Sequence, residues 1–153
     1  MRNYIAGVIV IIILLGLIGY FITPREGGDV LILSPSVKAV QGWRYKVRQT
    51  QAALERIGHM IEQGLDENET LLARSQALER ALKECFELEK ELEIAKPPLA
   101  YQKEQEKLVS AVMAFAEAAR LGVIYLNEPA VENFEKAKQA LEKARMLMKE
   151  GGE

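Results

Sequence analysis

Apolar residues follow two rhythms along this chain. From Ile5 to Ile22 they run almost unbroken, IAGVIVIIILLGLIGYFI, whereas from Val40 onward they recur at intervals of three and four among charged residues. The first rhythm leaves no face of a helix polar, so burial on every side is required. Arg2 and Arg25 bracket a stretch without a charge, and at 1.5 Å per residue it spans roughly the 30 Å of a bilayer's hydrocarbon layer. Tyr20-Phe21-Ile22-Thr23-Pro24 offers no small-x-small cleavage site, which favours a retained anchor over a signal peptide cut near Gly27 or Gly28. Residues 4–22 are therefore expected to lie in the bilayer. Arg2 and the amino group nearly balance Arg25 and Lys38, and the short charged head tips the expectation toward a single-pass membrane protein with its body extracytoplasmic.

The second rhythm predicts four amphipathic helices. Over 35–63, Val40, Val47, Leu54 and Ile61 stand seven apart with Trp43, Thr50 and Ile57 three residues after the first three, an a/d pattern that seeks partner helices. Over 67–95 the stripe is Leu71, Leu78, Cys85 and Leu92 with Ala81, Leu88 and Ala95; over 98–126 it is Tyr101, Leu108, Ala111, Phe115, Ala118, Gly122 and Tyr125; over 129–149 it is Val131, Phe134, Ala137, Leu141, Ala144 and Met148. Ser34-Pro35 supplies a cap followed by Pro at a first helical position. Gly64 is expected to end the first helix, Asp66-Glu67-Asn68-Glu69 has capping-box spacing for the second, and Pro97-Pro98 and Asn127-Glu128-Pro129 are breaks. The first three helices come out nearly equal, at about 29 residues or roughly 43 Å. Matched rods on short breaks argue for antiparallel neighbours. A three-helix unit with the last helix swung away is the alternative.

The predicted fold is therefore all-α: an N-terminal single transmembrane helix followed by an antiparallel, up-and-down four-helix bundle of two αα-hairpins. Residues 1–23 form the anchor, 24–34 a linker whose apolar Val30 to Leu33 is a short strand or a strip packed on the bundle, 35–149 the bundle, and 150–153 a flexible tail. The segment from Leu108 to Leu126 is apolar enough to raise a second span, yet Glu117 and Arg120 would each cost about 2.5–3.5 kcal/mol at mid-bilayer. Ser110, Ala114, Ala118 and Gly122 recur every four residues, and Ala137 and Ala144 answer them on the last helix. These small residues predict that the last two helices are the most closely apposed pair.

Composition narrows the chemistry. Among 153 residues the formal net charge is −2, which gives no basic face for nucleic acid. One His and one Cys are present; a di-iron carboxylate site needs two Glu-x-x-His motifs, and a single thiol makes no internal disulfide. His59 falls on an outward position and Cys85 on an inward one, where burial leaves a thiol inert. The acidic run from Glu84 to Glu93 is interleaved with Lys90, the pattern of a solvated face. No catalytic, metal or cofactor-binding residue is assigned. Trp43, Arg44, Tyr45, Lys46 and Arg48 mix aromatics with cations near the membrane end, a candidate contact for headgroups or a protein, with a core role for Trp43 as the simpler account. The expected function is non-enzymatic: a membrane-anchored scaffold, interaction module or accessory subunit that engages a protein partner or a second copy. The alternative is a sensor-like bundle binding a small molecule or a haem, with a separate output subunit.

Overall fold

The computed structural model describes residues 22–24, 30–32 and 34–151. Two compact units divide the chain, Met1–Gly42 and Trp43–Glu153. In the first, β1 (Ile22–Pro24) pairs antiparallel with β2 (Val30–Ile32), Ile22 opposite Ile32 and Pro24 opposite Val30. The chain is otherwise helical, as the all-α class expects, and the short strand considered for Val30 to Leu33 is found over Val30–Ile32: Ile22, Thr23, Val30 and Ile32 are β-branched, and a terminal Pro is tolerated because its missing N–H interrupts no ladder beyond it. The expected anchor over 1–23 lies outside the described residues except for Ile22 and Thr23, which are extended rather than helical.

Among the described residues, four helices and one 3-10 turn follow: α1 (Pro35–Leu65), α2 (Leu71–Ile94), the turn Leu99–Tyr101, α3 (Gln102–Asn127) and α4 (Val131–Glu150). At the start of α1 the Val37 N–H donates to Ser34 Oγ over 3.4 Å. Gly64 does not end that helix but sits inside it, because Leu78 presses on the place its side chain would fill; a Cβ there would come within 2.7 Å of Leu78 Cδ2. Asp66 does not cap α2 either. Its carboxylate accepts from the Asn68 backbone N–H at 3.0 Å, closing a local turn, and Thr70 takes the cap by accepting from the Ala73 N–H at 3.2 Å. The second helix is accordingly shorter than expected, 24 residues against 31 for α1 and 26 for α3.

Consecutive helices of the second unit run in opposite senses, as their contacts require. Lys46 near the start of α1 pairs with Glu91 near the end of α2, while Arg74 at the start of α2 donates from Nε to the Gly64 carbonyl at 3.1 Å. Gln105 of α3 reaches the Ala95 carbonyl just after α2 at 3.0 Å, and Gly122 meets Leu78. Lys107 donates to the Glu150 carbonyl at 3.0 Å, and the Tyr125 and Phe134 rings stand 5.3 Å apart where α3 turns into α4. The result is a helical bundle with one continuous core: Trp43, Val47, Leu54, Ile57 and Ile61 from α1 meet Leu78, Cys85 and Leu92 from α2, Leu108, Val112 and Phe115 from α3, and Leu141 from α4. Leu71 and Val131, expected to face inward, are 65% and 81% exposed. Each opens its helix, at an end where no neighbouring turn lies over it.

One helical stretch among the described residues, Leu99–Asn127, is long and apolar enough to cross a membrane by length and composition, with mean hydropathy 1.5. Its Leu108, Ala111, Val112, Phe115, Ala118 and Ala119 are buried within the core, while Leu99 and Met113 are exposed. On its wet side Arg120 pairs with Glu117 at 2.7 Å.

Candidate functional site

Several polar side chains that reach inward tie helices together. The indole N–H of Trp43 donates to Glu104 Oε2 at 2.6 Å, linking α1 to the first turn of α3. Gln105 donates to the carbonyls of Leu92 and Ala95, two of the acceptors that the end of α2 leaves without a helical partner. Across the opposite end Tyr125 donates its hydroxyl proton to Glu67, and the Arg74 guanidinium lies 5.4 Å from the centre of the Tyr125 ring.

The aromatic and cationic segment of α1 divides between core and surface. Trp43 is buried and bonded, so the lipid or partner contact considered for it is taken up by the bundle itself. Lys46 is held by Glu91. Arg44 and Arg48 are exposed, and Tyr45, 64% exposed, accepts from Gln49 Nε2 at 2.8 Å. Of the small residues, Ala118, Ala137 and Ala144 are fully buried, and α3 and α4 approach one another more extensively than α2 and α3 do. Ala114 is half-buried and Ser110 exposed, its hydroxyl turned to its own helix and donating to the Glu106 carbonyl. Gly122 serves a different neighbour: a Cβ there would meet Leu78 of α2 at 2.7 Å. A stripe of period four drifts around the helix relative to 3.6 residues per turn, so its ends face different partners.

Two features escaped the sequence. Where α1 and α4 pass, a cleft of about 220 Å³ has Leu65, Phe134 and Leu141 among its lining and Glu62 and Arg145 at its edge. Arg145 binds Glu62 at 2.6 Å, and His59 Nδ1 lies 3.1 Å from the other carboxylate oxygen. Burial pushes the Glu62 carboxyl up, but the bonds and charges of Arg145 and His59 outweigh it and hold the group below the usual carboxylate range. Glu62 and Arg145 are too far apart in sequence for any spacing to connect them. The second feature is Thr50, whose buried hydroxyl has no hydrogen-bond partner; the heptad located the position but not this cost.

No protein-family model, curated protein or solved structure matches the chain. The chemistry therefore rests on the groups themselves. The Cys85 thiol is buried, and burial followed by the charges of Glu84 and Glu89 pushes it up to about 12, so it stays protonated and a poor nucleophile at neutral pH. His59 stands on the exposed side of α1 beside Glu62 rather than facing the core. Among the described residues no group of three His, Cys, Asp or Glu side chains is gathered as metal ligands would be.

Proposed function

We propose that this chain is a non-enzymatic, membrane-anchored helical bundle that acts by contact with protein, as a scaffold, interaction module or accessory subunit at the membrane surface. The observation that carries the reading is the employment of the polar groups at the two ends of the bundle in joining its helices. Trp43 with Glu104, Gln105 with the end of α2, and Tyr125 with Glu67 are all spent on joining helices. What remains outward is a set of long helical faces, the form in which helix-to-helix recognition is made. The anchor in this proposal is the charge-free run from Ile5 to Ile22, with the bundle on the extracytoplasmic side. Leu99–Asn127 is given the role of a core helix, since Leu108, Ala111, Val112, Phe115, Ala118 and Ala119 are buried in the bundle and Glu117 and Arg120 would be costly in lipid.

Isolation of the full chain in mild detergent after crosslinking in its native membrane tests the reading. A crosslinked species containing a second protein or a second copy is the expected result. A lone monomer that crosslinks to nothing would overturn it.

A further inference from the structure

We infer that the connection between α2 and α3, from Ile94 to Lys103, is a membrane-surface contact: Ile94 and Leu99 enter the headgroup layer while Lys96 and Lys103 meet lipid phosphates, setting this end of the bundle on the bilayer. The inference rests on the N-terminal anchor of the proposed function and adds a second place where the chain meets lipid. Leu99 is 85% and Ile94 70% exposed. Leu99 opens the 3-10 turn directly after Pro97-Pro98, and the fixed φ of the two prolines presents it with little freedom left to lose on contact. Lys96 and Lys103 are exposed, and no other residue from Ile94 to Lys103 is charged. Large apolar side chains flanked by Lys are what a segment lying in a membrane interface is made of.

Connectivity makes the bilayer the occupant. The charge-free run ends at Ile22, and Ile22 pairs with Ile32, so the chain has returned beside the end of the anchor three residues before Pro35 starts α1. Trp43 follows about 12 Å further along that helix. The residues around Trp43 hold the connection at the same end of the bundle: its indole donates to Glu104 at 2.6 Å, Lys46 pairs with Glu91, and Gln105 donates to the Ala95 carbonyl at 3.0 Å. Charge agrees with this placement. From Val30 to Leu54 the sequence carries Lys38, Arg44, Lys46 and Arg48 and no Asp or Glu, and Arg44 and Arg48 are exposed. The carboxylates of Glu91 and Glu104 are engaged by Lys46 and Trp43, and the exposed Glu93 beside Ile94 limits the contact to headgroup depth. Two apolar side chains and two cations are too few to hold a soluble chain on a membrane. They act because the anchor keeps them at high effective concentration beside the lipid, so the anchor attaches the protein and the connection orients it.

The test uses the full chain reconstituted in vesicles of phosphatidylcholine and phosphatidylglycerol, with a polarity-sensitive dye on Leu99→Cys or, at the opposite end of the bundle, on Val131→Cys. Both positions are exposed and the native Cys85 is buried, so the dye goes to the introduced thiol and circular dichroism should be unchanged. The dye at 99 is expected to shift to the blue and to be quenched by lipids spin-labelled near the headgroup, while the dye at 131 keeps its emission in water. Adding Lys96→Glu/Lys103→Glu to Leu99→Cys should abolish the shift and the quenching. A dye at 99 that reports water, equal quenching at 99 and 131, or quenching at 99 indifferent to the two charge reversals overturns the inference. Flotation of the same vesicles separates the causes: a chain that floats with its dye at 99 in water leaves the proposed anchor standing, and a chain that does not float removes the anchor and this contact together.

Discussion

Gly64 and Gly42 show how differently one residue type can act in a single helix. At Gly64 the space for a side chain is held by Leu78, itself fully buried, and a Cβ would approach its Cδ2 to 2.7 Å. At Gly42 a Cβ would meet nothing within 4 Å. Gly64→Ala should therefore destabilise the bundle by about 1–2 kcal/mol, overpacking outweighing the better helix propensity of Ala, whereas Gly42→Ala should stabilise it by about 0.5–1 kcal/mol. Urea unfolding followed by circular dichroism separates the two, and equal effects would contradict the packing described. The sequence made Gly64 look like a helix end, because a Gly followed by polar residues is where helices usually stop. Only the position of Leu78 on the next helix gives it another use. By contrast Trp43, Val47, Thr50, Leu54, Ile57 and Ile61 are all buried, and their spacing in the sequence identified every one of them as core.

At the scale of elements, periodicity located four helices and local competition set their ends. The reversal between α1 and α2 has two candidate caps, Asp66 and Thr70. Asp66 is taken by the Asn68 N–H, whose bond lowers the carboxyl below its usual range, so Thr70 caps the helix. Thr70→Ala should cost about 1 kcal/mol, read as a lower urea midpoint with an unchanged slope, while Asp66→Ala should cost less because it frees no helical N–H. The reverse order would show that α2 begins where the capping-box pattern suggested. The linker strands were half legible: the apolar run after Asp29 was visible, but its pairing with Ile22–Pro24 is a relation between segments that spacing along one segment cannot express. The cleft between Glu62 and Arg145 was hidden for the same reason.

At the scale of the whole molecule, two apolar stretches compete for the membrane. Leu99–Asn127 buries Leu108, Ala111, Val112, Phe115, Ala118 and Ala119 inside the bundle and sets Glu117 and Arg120 on the surface, whereas the run from Ile5 to Ile22 has no polar stripe to turn to water. The account therefore predicts that attachment depends on the first stretch alone. The direct measurement is alkaline extraction of membranes carrying the full chain or its Ile12→Lys/Leu15→Lys variant, since each Lys costs about 2.5–3.5 kcal/mol near the centre of a span. The wild type should stay in the membrane pellet and the variant should move to the supernatant with its helix content intact. A variant retained in the pellet, or a wild type released by alkali, would contradict an N-terminal anchor carrying a bundle that folds in water.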